Sequence, residues 1–466
     1  MKQAPSALNR RNFIGLYAAG AAALSAGRSI AASPGKQNTK PNVLFINVDQ
    51  LSAQALSCYG SMEVSTPWMD SIKENGFAIE QSYSADPVCC PGRAAWFSGR
   101  YTSENRVVLN GMPMVEGLPL LSQELQKGGY YTAHFGKWHV PGRDVHQMFD
   151  LTHDDQLMGE HQDAITARSV AGFISNHKGD KPFFCVAGLL NPHDICYWRR
   201  LNEPASDLLP ENVPEEELPP LPPNFHFDEK EPQNVVIFNR KKIQKMDEWS
   251  ELQWRYYIYA YYRYVEMVDE AVGVMLRALR NSPHADNTVV VFSADHGDGF
   301  GRHKLALKNT LYDEVVRVPL IFSGPGIKKD VFNTDCFASG VDLFPTVMDF
   351  AGLEPSCRLS GSSLKKVLQG RPSERPEYAA AQVSVDGRMI RTKQYKYITY
   401  EGDPVEMLFD MKSDPWETQN LASSAAHQEV LKAHRKLQQQ HEASLDNLTP
   451  PESGWRENLQ KIKASA

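Results

Sequence analysis

The residues best suited to chemistry lie in one short segment, Cys89-Cys90-Pro91-Gly92-Arg93. Pro91 is typical of the first turn of a helix, and the glycine at position 99 is typical of a helix end. The free N–H groups and the dipole at the start of such a helix attract an anion, and Arg93, one turn further on, adds a charged hydrogen-bond donor. The segment therefore predicts an anion-binding site beside Cys89.

Two further pairs of polar residues stand where apolar runs of strand length end. Asp49-Gln50 follows the run 42–48, and Asp295-His296 follows the run 288–292. Carboxylate and amide oxygens are the ligands that Ca²⁺ and Mg²⁺ prefer. A histidine nitrogen is a less usual ligand for these cations, so His296 is either a ligand or a hydrogen-bond donor behind the ligands. We predict that the four side chains converge on one divalent cation.

Basic side chains follow other candidate strands and turns. Lys137 and His139 lie in Gly136-Lys137-Trp138-His139, His193 follows Pro192, and Lys308 stands four residues before Tyr312. With a strand period of two, Lys137 and His139 project to the same side. A single surface Lys or His is more often solvated than catalytic, so the case depends on their joint occurrence with the segment at Cys89.

These motifs together resemble the type I, formylglycine-dependent sulfatase family of the alkaline-phosphatase-like superfamily. The family signature is Cys-x-Pro-x-Arg followed by Gly-Arg, and the Gly-Lys-Trp-His, Pro-His and Lys-x-x-x-Tyr-x-Glu elements follow here in family order, over about residues 40–425. Gln50 departs from the pattern because the family has an acid there. The change removes one negative charge and is expected to lower cation affinity.

The resemblance implies that Cys89 is oxidised to formylglycine by a maturation enzyme and that its hydrate, held on Ca²⁺ or Mg²⁺, attacks the sulfur of an organic sulfate ester. It places Arg93, Lys137 and Lys308 around the transferred group and His193 beside the leaving oxygen, and it assigns His139 to the step that releases sulfate. His303 is predicted to lie at the rim. The resemblance implies this cation ligand set: Asp49, Gln50, Cys89, Asp295 and His296.

Short apolar runs alternate with helical segments such as 120–128 and 165–177. This alternation predicts an α/β fold with a large mixed, mostly parallel sheet sandwiched by helices, and the resemblance makes it alkaline-phosphatase-like. Past about residue 370 the pattern changes to strands at 378–383, 389–390, 396–400 and 407–409 and a polar helix near 426–443. We therefore predict a catalytic domain over 33–370 and a small C-terminal α+β subdomain of antiparallel strands and a helix over 371–466.

The N-terminus predicts export. Lys2, Arg10 and Arg11 precede an apolar stretch of signal-peptide length and small residues near position 32. The paired arginines resemble a twin-arginine signal, so residues 1–32 are expected to be removed by the export machinery, and the protein is expected to be periplasmic or secreted. A membrane anchor is the alternative, but roughly 12 apolar residues are too few to span a bilayer that needs about 20.

The charge balance excludes one class of partner. The formal charge of −7 becomes −11 without residues 1–32, because that segment holds four basic and no acidic residues. An acidic protein of this kind is not expected to bind nucleic acid. The substrate is expected to be a small-molecule or oligosaccharide sulfate ester, with a sulfated carbohydrate as the first expectation, and candidates for the rim are Trp138, Trp198, Arg199 and Arg200.

Two alternative functions remain open from the sequence. A phosphonate or phosphate ester hydrolase of the same superfamily transfers a group of similar shape and charge. A non-catalytic binding protein on this fold is a different class, and only Gln50 among the expected catalytic residue types favours it.

Overall fold

The computed structural model describes residues 40–154, 158–201, 213–236, 246 and 248–446. In it, eight strands pair into a sheet of order β4-β3-β5-β1-β6-β7-β2-β8. Seven of them run parallel, and β7 is antiparallel to both neighbours. The strands are β1 (Asn42–Asp49), β2 (Gly76–Tyr83), β3 (Tyr131–Gly136), β4 (Leu151–His153), β5 (Phe183–Pro192), β6 (Thr288–Ala294), β7 (Leu320–Ser323) and β8 (Val331–Ser339).

The central strand β1 is buried along its whole length because helices cover both faces of the sheet. Successive side chains of a strand point to opposite faces. Accordingly, Leu44 and Ile46 pack into one hydrophobic cluster and Val43 and Phe45 into another. This explains why the sequence of β1 is a continuous apolar run rather than an alternating one.

The helices complete the two layers. The long helix near the middle of the chain carries Trp254, Tyr257 and Tyr261 into the first cluster, so its aromatic face is core. The α-helices are α1 (Pro67–Glu74), α2 (Cys89–Ser98), α3 (Thr102–Asn105), α4 (Leu121–Lys127), α5 (Val145–Met148), α6 (Gly159–Asn176), α7 (Ile195–Leu201), α8 (Glu251–Arg280), α9 (Asp313–Val316), α10 (Leu343–Ala351), α11 (Lys365–Leu368) and α12 (Gln428–Ser444).

A second sheet of four antiparallel strands follows, in the order β12-β11-β10-β9, and α12 contacts two of its strands. Its strands are β9 (Tyr378–Val383), β10 (Gly387–Thr392), β11 (Tyr395–Tyr400) and β12 (Met407–Asp410). The predicted fold class, a mostly parallel α/β sheet with a small antiparallel α+β part, is confirmed.

The helices and strands do not test two of the sequence predictions. The domain boundary at residue 370 stays a prediction, since the described residues belong to one compact unit. The predicted signal peptide at 1–32 lies outside the described residues. Within the described part of the chain, no helix is both long enough and apolar enough to cross a membrane.

Candidate active site

The site forms at the carboxyl edge of the large sheet. Strands β1 and β6 pair in parallel with Val48 opposite Ala294, so the next residues of both strands, Asp49 and Asp295, emerge side by side. The helix α2 begins at Cys89 and ends at Gly99, whose φ of 64° is a left-handed conformation that glycine adopts without strain. Both predictions, the polar strand ends and the short helix at Cys89, are confirmed by this arrangement.

The Cys89 thiol is the point on which the charged side chains converge. Lys308 Nζ lies 2.6 Å from Cys89 Sγ, His296 Nε2 lies 3.2 Å from it, and Asp49 Oδ1 lies 3.6 Å from it. Only 1% of Cys89 is exposed. Burial and Asp49 raise the pKa of the Cys89 thiol, but the positive charges of Lys308, Lys137 and His296 outweigh them and hold that pKa well below its usual range. The position beside Cys89 therefore favours negative charge.

The Arg93 guanidinium fixes the two strand ends from the helix side. Its Nε donates to Asp295 Oδ2 at 2.8 Å, and its Nη2 lies 3.4 Å from Asp49 Oδ2. Its Nη1 donates to Asn47 Oδ1 and to the carbonyl oxygen of Lys137. Arg93 is fully buried, and the neighbouring carboxylates raise its pKa against the effect of burial. The predicted arginine is therefore in the site, where it orients the acids as well as adding charge.

The geometry fits a divalent cation. One ligand atom each from Asp49, Cys89, Asp295 and His296 lies within 4.8 Å of the other three. Ca²⁺–oxygen distances of about 2.3–2.6 Å place ligand atoms within about 5 Å of each other. His296 Nδ1 lies 2.8 Å from the carbonyl oxygen of Gly297, and a proton on Nδ1 leaves Nε2 free to accept a cation. The interpretation of His296 as a ligand is thus favoured over a role behind the ligands.

Gln50 also belongs to this group. Its backbone N–H donates to Asp295 Oδ1 at 3.1 Å, and its side-chain Oε1 lies 3.4 Å from Lys308 Nζ. The amide oxygen therefore faces the ammonium that contacts Cys89, and the structure brings all five predicted ligands together.

The extended strand period that predicted a shared side for Lys137 and His139 does not continue through these residues. Strand β3 ends at Gly136 with a φ of 83°, and His139 has a φ of 55°, so the extended period is broken twice. A Cβ at position 136 would lie 2.2 Å from the carbonyl oxygen of Gly188, which explains the glycine. Lys137 Nζ donates to Asp49 Oδ2, whereas His139 is exposed and joins the cluster through none of the hydrogen bonds or ion pairs recorded for the described residues.

His193 faces the site from the turn after β5. Burial lowers its pKa to about 3, although the Asp49 carboxylate works in the opposite direction. The turn itself is held by Asp163, whose two carboxylate oxygens accept the N–H groups of Leu190 and Asn191 at 2.6 and 2.9 Å. His193 is therefore a neutral imidazole on a turn that Asp163 stabilises. Sequence reasoning missed Asp163.

Of the residues predicted for the rim, Trp138, Arg199 and His303 are buried, Trp198 is half-buried and Arg200 is exposed. Trp138 is buried and packs against Phe97, His134 and Phe149, and Trp198 packs against Trp249 and Tyr257. His303 is buried as well, with its ring stacked on Tyr312 at 3.8 Å between centroids. These side chains pack against aromatic neighbours that lie far from them in the sequence. Local sequence patterns therefore did not predict their packing.

Asp298 is a further residue beside the site that sequence reasoning missed. Its Oδ2 accepts a hydrogen bond from Gln50 Nε2 at 2.7 Å. It stands three residues after Asp295, in Asp295-His296-Gly297-Asp298, so its place in the chain was the signal that could have drawn attention to it.

The comparisons with known proteins agree with this geometry. The sequence matches the family described as Sulfatase over residues 41–353, and it matches the family described as N-sulphoglucosamine sulphohydrolase, C-terminal, over residues 301–443. It is 31% identical over 444 residues to the Delta 4,5-hexuronate-2-O-sulfatase of Bacteroides thetaiotaomicron, an alignment that covers 88% of this chain and 90% of that protein.

Solved structures extend the likeness to the fold. The structure of a 2-O GAG sulfatase is 30% identical with a TM-score of 0.78, and the match covers 86% of this chain and 92% of that chain. A phosphonate monoester hydrolase of Agrobacterium radiobacter is 22% identical with a TM-score of 0.72 over 88% of this chain and 96% of that chain, and at that identity it shares the fold alone. The Sulfatase match spans more than half of the chain and contains every predicted site residue. The chain therefore belongs to the sulfatase family of the alkaline-phosphatase-like superfamily, and it is a hydrolase of sulfuric ester bonds.

Proposed function

We propose that this sulfatase releases inorganic sulfate from a sulfated carbohydrate, using a formylglycine formed at Cys89 together with Ca²⁺ or Mg²⁺. The observation that carries the proposal is the convergence of Lys308 Nζ, His296 Nε2 and Asp49 Oδ1 on Cys89 Sγ at the start of α2. Two carboxylates, an amide oxygen and an imidazole nitrogen supply the ligand types for the cation, and three basic side chains surround the place of the transferred group.

A formylglycine hydrate at position 89 would supply a hydroxyl nucleophile, and the bound cation would supply the positive charge that makes this hydroxyl more acidic. The chain's own residues do the rest. Lys137 and Arg93 hold Asp49 in place, and Lys308 reaches the reacting position directly. These charges are fixed before the substrate arrives, so they stabilise negative charge on the transferred sulfuryl oxygens without reorganisation.

His193 serves the leaving-group oxygen. In the free enzyme its low pKa leaves it neutral, and a neutral imidazole does not donate a proton as an acid does. A bound anionic ester adds negative charge beside it, which raises the pKa of the imidazole and favours its protonated form. His193 thus becomes an acid only when substrate is present. His139 keeps its proposed role in sulfate release, as the exposed base nearest Lys137 along the chain.

The substrate class follows from the relatives. The hexuronate-2-O-sulfatase and the 2-O GAG sulfatase, each at least 30% identical to this chain, are named for 2-O-sulfated sugars. A saccharide with a 2-O-sulfated hexuronate at its end is therefore the first substrate to test. A sugar of this kind carries a carboxylate in addition to the sulfate, so it requires a positively charged site of the kind seen around Cys89.

Maturation and location belong to the same proposal. A formylglycine-forming enzyme oxidises Cys89, and the twin-arginine-like segment at 1–32 directs the chain to the periplasm or the exterior. Sulfated polysaccharide fragments are extracellular materials, which agrees with an exported enzyme.

The test uses the neighbouring cysteine as a matched control. We would measure sulfate release from a 2-O-sulfated unsaturated disaccharide, a 6-O-sulfated glucosamine and an aryl sulfate, with protein produced beside a formylglycine-forming enzyme. Cys89→Ala is expected to abolish turnover, and Cys90→Ala, which removes only a thiol at the variable position of the motif, is expected to keep it.

Mass analysis of the peptide that contains Cys89 completes the test. Sulfate release by Cys89→Ala would refute the formylglycine mechanism. Conversion of Cys89 without release of sulfate from any of the esters, but with hydrolysis of a phosphonate monoester, would replace the proposed substrate class with the phosphonate alternative.

A further inference from the structure

The Gln50 side chain is an ambiguous ligand because only one end of an amide can bind a cation. Its carbonyl oxygen is an acceptor, whereas its NH₂ group is a donor and would repel a cation. The acid that the family has at this position has two equivalent oxygens and no such ambiguity. In this chain, something must therefore hold the amide with its oxygen toward the site.

Two charges of opposite sign set the orientation of the amide. Gln50 Nε2 lies 2.7 Å from Asp298 Oδ2, and Gln50 Oε1 lies 3.4 Å from Lys308 Nζ. The reversed amide would place an oxygen against a carboxylate and an NH₂ group against an ammonium. Cys196 Sγ is 3.5 Å from both ends of the amide, so it does not favour either orientation.

Asp298 is itself held by the fold. The Tyr257 hydroxyl lies 3.0 and 3.1 Å from its two oxygens, the N–H of Phe300 donates to Oδ1, and the N–H of Leu307 donates to Oδ2. The side chain is completely buried. A carboxylate with this many donors cannot turn away from Gln50, and a buried carboxylate that has lost its partner is costly.

We propose that Asp298, braced by Tyr257, is a positioning residue that keeps Gln50 Oε1 and not Nε2 among the cation ligands. The inference rests on the proposed cation site and deepens it. It also explains how the site accommodates an amide where the family pattern has an acid, since Gln50 Nε2 is hydrogen-bonded to the Asp298 carboxylate.

A double-mutant cycle separates positioning from charge. The Kd for Ca²⁺ and for Mg²⁺ would be measured by calorimetry on the parent protein, Asp298→Asn, Gln50→Glu and the double variant, all in the same maturation state. In the parent background, Asp298→Asn is expected to raise the cation Kd about tenfold or more, as loss of a partner behind a metal ligand does. In the Gln50→Glu background, the same change is not expected to raise Kd, since a carboxylate has no wrong orientation and Asp298→Asn removes a second carboxylate from contact with Glu at position 50.

A simple charge effect predicts a different result, because Asp298→Asn removes one negative charge in both backgrounds and would weaken binding equally. Asp269→Asn is the matched control. Asp269 is a buried aspartate that accepts the N–H groups of Trp68 and Met69 away from the site, so its change is expected to lower the thermal midpoint and leave the cation Kd unchanged.

Tyr257→Phe provides a milder variant if Asp298→Asn does not fold. It leaves every charge in place and removes the side-chain hydroxyl that holds Asp298, while the N–H groups of Phe300 and Leu307 still donate to it, and it is expected to raise Kd about threefold with Gln50 and not with Glu at position 50. Equal losses in the two backgrounds, or no loss in either, would overturn the positioning role while leaving the cation site intact. Failure of the parent protein to take up either cation would overturn both the cation site and this inference.

Discussion

The molecule has two buried clusters of charged side chains, and they are built differently. At Cys89, three cations, Arg93, Lys137 and Lys308, face two carboxylates. In the second cluster, at the contact with the small sheet, Lys396 Nζ lies 2.9 Å from Asp313 and 2.8 Å from Glu417. The second cluster also pairs Arg317 with Asp313 at 3.0 Å and His303 with Glu314 at 2.7 Å.

The two clusters have different functions: the second cluster stabilises the fold, and the cluster at Cys89 binds an anion. In the second cluster every charged group ends on a partner of opposite sign, so the charges cancel and join the segment after β6 to the C-terminal strands. At Cys89 three cations face only two carboxylates, and Lys308 ends on the sulfur that the proposed formylglycine replaces, which leaves a place for an anion. Buried charge alone therefore does not mark the active site, whereas unbalanced buried charge does.

The largest expected effect comes from removing the ammonium group of Lys308, which contacts Cys89. Lys308→Met keeps the length of the side chain and deletes the charge. We expect kcat/KM for sulfate release to fall at least about a thousandfold, since a preorganised donor to the transferred group is lost. Stability should change less than in the matched variant of the second cluster. An activity loss below tenfold would remove Lys308 from the reacting position.

Lys396→Met makes the same chemical change in the second cluster. Two buried carboxylates lose their shared partner, so we expect the free energy of unfolding to fall by about 3 kcal/mol. Urea unfolding measures this loss. The kcat of the remaining folded protein should stay within twofold of the parent, and a large fall in kcat with unchanged stability would show that the two clusters are not functionally distinct.

His303→Gln is expected to have the smallest effect and to reveal a pH dependence. Burial lowers the pKa of His303, but Glu314 outweighs burial and raises it above the ordinary value. A raised histidine pKa stabilises the fold fully below the unfolded pKa of about 6.5, and this contribution is lost as pH rises through the folded pKa. The free energy of unfolding of the parent should therefore be about 1 kcal/mol larger than that of the variant at acidic pH. This difference in stability should become smaller as the pH rises. A gap independent of pH would contradict the ion pair.

The sequence predicted the parts of this structure that depend on local pattern. The apolar runs gave β1, β3, β5 and β6, and the alternating segments gave all four strands of the small sheet. Strands β2, β4, β7 and β8 were missed, and the antiparallel direction of β7 is decided by its pairing with β6 and β2. Pattern indicates that a strand exists, but not which way it runs in a mixed sheet.

The residues of the site also fall into those that a local pattern predicts and those that it does not. Cys89, Asp49 and Asp295 follow from a motif and from strand ends, so their convergence could be expected. The strand period expected through Lys137 and His139 is interrupted by two left-handed backbone conformations, of which only the one at a glycine is visible in the sequence. Asp298 accepts a hydrogen bond from Gln50, which is distant in the chain, and Asp163 accepts hydrogen bonds from two backbone N–H groups. Such contacts leave no periodic pattern in the sequence.

The burial of Cys89 has a consequence for the order of events in the life of the chain. With 1% of the residue exposed and Lys308 lying against its sulfur, another enzyme cannot reach the thiol once the fold has closed. On the proposed function, oxidation of Cys89 must therefore precede folding, while export through a twin-arginine route takes a folded chain. On that proposal, Cys89 is converted between synthesis of the chain and closure of the fold.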